Sequence, residues 1–478
     1  MYSAIVFVLS ALLICLICLL FSKKKNDGLF LRFLKIITVV FCTIGLGRFF
    51  LSDAFVFVIN GATLNGTYYE VTDVLQSILR WGYYLNYTIL PMAIFFKSRL
   101  FKNIASYICL PFSILSTIFF QDFMMYFLSP NGGGLHMFEW FRYLYFVVEL
   151  ALAISIPIIM QIKEKHVFNV KDKYEWIRFL VALPFIWFLL IPPYIPQSLI
   201  GYSSMLAEVG SSFHIGWIIV AFILTLALYF IYRFKDYNTR FMLCVFLTLT
   251  LFFHYNQIFL MGFSLSRMPV QLCNLAAYLY IIAIPFKRKK LFQFCYLANI
   301  TGAIIAFVAA DFSGGALGFW NMHFVYEHTL VLMVPALAMG LRIFPRLDKK
   351  AIKYTFIGFT IYFLFSLSIG TLINGYADVT GVKVNYFFMF DIKKALSYVP
   401  FLTFAKDYMW NFGRFEMCPI IVGAIYVAFT LFYILFFALT KYLYKYEDDK
   451  IELRKSAIDL YEKRTKKKSS LPRDFHDD

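Results

Sequence analysis

Residues 268–312 read MPVQLCNLAAYLYIIAIPFKRKKLFQFCYLANITGAIIAFVAADF. Two apolar runs, each close to the ~20 residues that cross a bilayer as a helix, flank the basic turn Lys287, Arg288, Lys289 and Lys290. That is the pattern of a transmembrane hairpin, and it recurs along the chain. The 478 residues are 61% hydrophobic and 15% charged, with a mean hydropathy of +0.71. No soluble domain of this size hides so much apolar surface, so lipid is the solvent for most of it. Backbone groups in lipid must be paired internally, which leaves helices or a closed barrel. Long unbroken runs fit helices rather than short alternating strands.

The runs fall at roughly 2–22, 33–59, 76–96, 103–123, 139–161, 177–195, 213–232, 241–262, 269–286, 292–310, 325–343, 354–374 and 419–440. They predict an all-α polytopic membrane protein of about thirteen transmembrane helices. Under that count, Lys23, Lys24 and Lys25 share one side with Lys97, Arg99 and Lys102. Lys163, Lys165, Arg233, Lys235, the 287–290 turn, Arg342, Arg346, Lys349 and Lys350 fall there too. The positive-inside rule makes that side cytoplasmic. The N-terminus is then outside and the C-terminal tail inside. The formal charge of +17 is mostly this topology signal, since no nucleic-acid motif accompanies it. The first run reads as a retained helix, because its positive charges follow it and no cleavage site is apparent. Cys15, Cys18, Cys42, Cys109, Cys244, Cys273 and Cys295 lie in apolar segments and Cys418 at a boundary. Their spacing suggests neither a disulfide framework nor zinc, and no cofactor motif is present.

The stretch LRWGYYLNYTILPMAIFFKSRLFKNIASYICLPFSILSTIFFQDF at 79–123 superposes on 269–312 at a shift of about 190 residues. Phe96-Lys97 meets Phe286-Lys287, Leu100-Phe101 meets Leu291-Phe292, and Asp122-Phe123 meets Asp311-Phe312. A glycine-rich loop follows each, SPNGGG and SGGALG. The expected organisation is a degenerate membrane half at 1–235, a working half at 236–440 and a charged tail at 441–478. Cys273 then faces Tyr83, and His328 falls near Tyr143, so the first copy lacks both the thiol and the imidazole.

Ionisable residues within lipid are costly and mark candidate sites. The second half gathers His254, Asn256, Gln257, Gln271, Cys273, Asn274, Asp311, His323, Glu327 and His328 toward the outer face. In the first half, Arg48, Asp53 and Glu149 read as structural glue. Cys273 and His328 stand at matched depth. An imidazole that withdraws a thiol proton leaves a thiolate, a strong nucleophile for acyl carbonyls. Adjacent helix residues point apart, so Glu327 is poorly placed to orient His328; Asp311 or His254 is the expected orienter. The plain alternative is that both are quiet residues of a helical core.

At these residues the chain resembles the YwaF-like bacterial membrane proteins and the related transmembrane protein 164 family. The matching pieces are PVQLCNLAAYL with Cys273, NITGAIIA with Gly302 and Ala303, HFVYEHTLVLM with His328, and VNYFFMF with Asn385 and Tyr386. The resemblance covers about residues 240–440. It implies a helical membrane enzyme in which cysteine and histidine carry acyl transfer between phospholipids, with lysophospholipid acceptors. Cys273 would be the nucleophile, His328 the base, and Asn385 and Tyr386 the outer rim, while Gln271, Asn274, His254 and Asp311 would contact substrate. An outward site makes a membrane phospholipid the expected acyl donor, with lysophospholipid or water as acceptor. The alternatives are a transporter or lipid-binding scaffold with an intramembrane polar pocket, and, last, a transferase using 375–418 as a substrate loop.

Overall fold

The computed structural model describes residues 2–22, 27–51, 78–79, 81–96, 98–125, 139–164, 169, 171–191, 193, 196, 200, 205–258, 265–312, 314–391, 396, 400–411 and 415–466. Its helices are α1 (Tyr2–Ser22), α2 (Asp27–Leu51), α3 (Asn86–Phe95), α4 (Arg99–Ile104, Ala105–Cys109 and Leu110–Met125 in one run), α5 (Glu139–Glu164) and α6 (Lys173–Leu189). There follow α7 (Ser212–Tyr232), α8 (Tyr237–Asn256), α9 (Leu272–Ala283) and α10 (Lys289–Phe294, Cys295–Asn299 and Ile300–Val308 in one run). The series closes with α11 (Phe319–Gly340), α12 (Lys349–Gly375) and α13 (Pro419–Lys466). Outside the helices, Trp410–Asn411 and Glu416–Met417 pair as a short antiparallel hairpin. The molecule is all-α. Among the described residues, six helices have the length and apolar character to cross a membrane: 99–119, Ser212–Tyr232, Lys289–Val308, Phe319–Gly340, Lys349–Gly375 and Pro419–Lys450. Asp53 and the 129–134 loop lie outside the described residues, as do the side chains of Arg48, Asp122, Phe123 and Tyr143.

The helices begin where the sequence supplies caps. Ser211 Oγ accepts from the His214 amide at 3.3 Å to start α7. Asp236 does the same for Thr239 at 2.9 Å in α8, and Asp348 for Ala351 at 3.1 Å in α12. Prolines inside helices are tolerated because other groups take up the carbonyls they orphan. Pro335 of α11 has no N–H for the Val331 carbonyl, which instead accepts from the Tyr280 hydroxyl at 2.9 Å. Pro91 of α3 leaves the Tyr87 carbonyl, and the Cys42 thiol reaches it at 3.5 Å. Such repair is obligatory where no water is at hand. Outward faces are apolar too: Ile219, Ile223 and Ile231 of α7, and Ile361, Leu364 and Leu372 of α12, are exposed. A face of isoleucine and leucine at helical spacing is suited to acyl chains.

In the first half α1 packs on α5 and α4, α2 on α3 and α5, and α3 on α4. In the second half α11 is the central post, surrounded by α7, α8, α9 and α10, with α12 behind α10. The halves meet where α8 packs on α3 and α2. They also share the end of α6. Its Leu190 carbonyl accepts from Trp81 Nε1 at 3.0 Å, and the Leu189 carbonyl lies 2.7 Å from His254 Nε2. Thus the last carbonyls of one helix are satisfied by one side chain from each half.

Ala105–Cys109 and Cys295–Asn299 are both π-helical, five residues each and about 190 residues apart. The α-helical pieces before them, Arg99–Ile104 and Lys289–Phe294, coincide at the same shift. Nothing local in either sequence marks a π turn.

Candidate active site

Cys273 is the second residue of α9 and is buried, at 8% exposure. The first amides of a helix lack intrahelical partners and carry positive potential. The π turn of α10 helps place this end: Asn299 Nδ2 donates to the Leu272 carbonyl at 2.8 Å. Across from it stands Gly302. A methyl group there would lie 3.7 Å from Cys273 Sγ and 3.3 Å from Leu272 Cδ2, so the absence of a side chain lets α10 pack closely on the start of α9.

His328 lies on α11, which packs on both α9 and α10. Its Nδ1 is 2.7 Å from the Phe324 carbonyl. A carbonyl only accepts, so Nδ1 carries the hydrogen and, in the neutral ring, Nε2 holds the lone pair. The ring lies against Phe324, centroids 4.1 Å apart, and edge-on to Phe307 of α10 at 6.4 Å. The orienting group is therefore a backbone carbonyl one turn away, not Asp311 or His254. Asp311 is exposed on the connection after α10. His254 gives its Nε2 to Leu189 and stacks on Tyr326 at 5.1 Å. Cys273 and His328 make no hydrogen bond with each other. The acidic group within electrostatic reach of Cys273 is Glu327.

Gln271, Asn385 and Tyr386 meet above the start of α9, but as a clasp on the 385–391 loop. Gln271 Nε2 donates to the Asn385 carbonyl at 3.2 Å, and its Oε1 accepts from the Phe387 amide at 3.1 Å. Asn385 Oδ1 accepts from the amides of Phe390 and Asp391 at 3.0 and 3.2 Å. The Tyr386 hydroxyl donates to the Leu265 carbonyl at 3.2 Å. The clasp holds Phe387 and Phe388 at φ of 55° and 59°, a conformation that non-glycine residues rarely adopt. Phe387 drives between α12 and α13, with ring centroids 5.0 Å from Phe429 and 5.9 Å from Phe363. Asn274 approaches the Tyr255 hydroxyl, which donates to the Arg267 carbonyl at 3.1 Å.

A second group of polar side chains sits beside Cys273, on the facing ends of α8 and α11. His323 Nδ1 lies 3.5 Å from Glu327 Oε2, a pairing one helical turn apart and so visible in the spacing. His254 Nδ1, both polar atoms of the Gln257 amide, and Glu327 Oε1 are buried without a hydrogen-bond partner among the described residues. Asn256 is engaged, its Oδ1 accepting from the Tyr278 hydroxyl at 3.0 Å. The hydroxyls of Tyr255, Tyr278 and Tyr280 in this region donate to the Arg267 carbonyl, Asn256 Oδ1 and the Val331 carbonyl. Only the place of these tyrosines in the fold shows what their hydroxyls do.

At positions 190 residues earlier in the sequence the small and large residues are exchanged, Gly82 against Leu272 and Phe112 against Gly302. The Phe112 ring packs directly onto Gly82 and lies edge-on to Trp187 at 5.7 Å. Glu149 accepts from the Tyr87 hydroxyl, a buried contact between α5 and α3.

The TMEM164 family profile matches residues 210–435, from the start of α7 into α13, and takes in every residue of this site. No curated protein and no solved structure matches the chain.

Proposed function

We propose that this chain, which carries a TMEM164-family region over residues 210–435, is an integral membrane lipid acyltransferase or acyl hydrolase acting through Cys273 and His328. The observation that carries the reading is the fixed state of His328. With Nδ1 spent on the Phe324 carbonyl, Nε2 is the base, on the helix α11 that packs against α9. In the proposed reaction Nε2 takes the thiol proton and the sulfur attacks an ester carbonyl of a phospholipid. The carbon–oxygen bond breaks, and the proton passes from His328 to the departing oxygen. Lysophospholipid leaves and the acyl group remains on Cys273 as a thioester. A second hydroxyl, from a lysophospholipid or water, then takes the acyl group. The free amides at the start of α9 face the developing oxyanion. Because thiol and imidazole are not in direct hydrogen bond, seating of the ester brings them into line, as catalytic contacts often tighten only with substrate.

The finer organisation belongs to the same proposal: about thirteen crossings, the N-terminus outside, the C-terminus in the cytoplasm, and the first half a duplicated scaffold. The coincident π turns and the exchanged Gly82/Phe112 and Leu272/Gly302 pairs support the duplication.

Incubating the purified protein with phospholipid and mapping thioesters by mass spectrometry tests the mechanism. Acyl adduct is expected on Cys273, absent from Cys273→Ala and formed at least ~10²-fold more slowly by His328→Gln. Equal acylation of Cys273→Ala would overturn it and favour the binding or transport reading.

A further inference from the structure

The polar ends of α8 and α11 have no part in forming the thioester. Yet His254, Gln257, His323 and Glu327 are all at most 6% exposed. Five of their polar atoms are unpartnered among the described residues: His254 Nδ1, Gln257 Nε2, Gln257 Oε1, His323 Nε2 and Glu327 Oε1. They belong to one junction. The rings of Tyr255 and His323 approach to 6.1 Å across the α8–α11 interface, and His254 stacks on Tyr326. α9, which carries Cys273 in its first turn, packs on both helices.

The kinds of atom indicate the ligand. His254 gives Nε2–H to the Leu189 carbonyl, so its Nδ1 accepts. Gln257 offers one acceptor and one donor group, and the Glu327 carboxyl does either according to its proton. An ester only accepts hydrogen bonds and would leave His254 Nδ1 and Gln257 Oε1 unanswered. A hydroxyl both donates and accepts: its O–H answers one of these acceptors, and its oxygen takes the Gln257 Nε2–H.

We infer that His254, Gln257, His323 and Glu327 form the acceptor subsite, which holds the hydroxyl that discharges the Cys273 thioester. The inference rests on the acyl-enzyme reading above. In the discharge step the hydroxyl oxygen bonds to the thioester carbonyl carbon and the carbon–sulfur bond breaks. The hydroxyl proton moves to His328 Nε2 and from there to the departing sulfur, so the thiol is regenerated. His254, Gln257 and Glu327 are positioning residues in this step, and His323 holds Glu327 in place. The hydroxyl has two sources, the glycerol of a lysophospholipid or water.

The test separates formation of the thioester from its discharge in full-length protein. Gln257→Met removes both amide groups at similar volume, and Glu327→Gln keeps the shape without the titratable carboxyl. Thioester formation from phospholipid is expected within about twofold of wild type in both. Discharge is expected to fall tenfold or more, with a raised KM for acceptor. A loss confined to reactions given lysophospholipid identifies that source, and a loss in its absence identifies water. Melting temperature supplies the structural control. An amide that is only buried should, on replacement by Met, leave the protein as stable or more stable with discharge unchanged, and that result overturns the subsite. Equal loss of formation and discharge overturns it too. Should Glu327→Gln fail to fold, Gln257→Met and His254→Asn decide by the same readouts. Absence of any thioester on the wild-type protein overturns the acyl mechanism itself, and the subsite with it.

Discussion

At the scale of single residues, the site depends on what is missing as much as on what is present. Gly302 faces Cys273 and Leu272 with no side chain between them. Gly302→Ala adds one methyl at ordinary contact distance from sulfur and only slightly tight to Leu272, so fold and acylation should both persist. Gly302→Val adds bulk directly over Sγ. Acylation of Cys273 should fall at least ~10-fold while stability falls by no more than the ~1–3 kcal/mol typical of overpacking, read from thermal melting. Unchanged acylation in the valine variant would show that substrate does not approach from this side. The first half makes the reverse case. Phe112 packs half-buried on Gly82 and Trp187, so Phe112→Ala should cost less than the ~3–5 kcal/mol of a core phenylalanine, read as a lower melting temperature, without altering Cys273 acylation. Cys273 and His328 are legible in the sequence because a thiol and an imidazole in lipid stand out. So is the His323–Glu327 spacing. The clasp of Gln271 on Phe387 is not legible, because it joins residues 116 positions apart and no local pattern records it.

At the scale of elements, composition predicts the helices, and their ends follow from capping chemistry. Asp236 accepts from both the amide and the hydroxyl of Thr239 at the start of α8. Those bonds favour the charged carboxylate and hold its pKa below the ordinary value. The stabilisation is therefore complete at neutral pH and is lost as pH falls through the depressed folded value. Asp236→Ala should cost about 1 kcal/mol at pH 7. The gap between wild type and variant, followed by thermal melting in detergent, should close under acid. A gap independent of pH would place the effect elsewhere. The π turns lie at the opposite extreme of legibility. They come from packing, and the sequence shows them only as an approximate 190-residue echo between Ala105–Cys109 and Cys295–Asn299.

At the scale of the whole molecule, charge ties the last helix to the bundle and gives the site its side. Arg346 pairs with Glu447 at 2.9 Å and with Asp448 at 2.7 Å, Arg342 pairs with Asp448 at 2.8 Å, and Tyr229 donates to Glu447. This knot joins α7, the end of α11 and the charged stretch of α13. The basic turn at 287–290 lies at the start of α10, and Asp311 follows the other end of that same helix. Cys273 begins α9 and therefore sits at the Asp311 end, one helix length from the 287–290 turn. If the lysine- and arginine-rich ends are cytoplasmic, the thiol opens toward the outside. There cytoplasmic acyl-CoA cannot reach it, and a phospholipid of the surrounding leaflet is the natural donor. A single reporter cysteine placed at Asp311, in a background lacking other accessible thiols, should react with an impermeant maleimide in intact cells. One placed at Lys289 should react only after the membrane is opened. The reverse pattern would turn the site to the cytoplasm and make soluble thioesters the donors to test, leaving the chemistry at Cys273 and His328 unchanged.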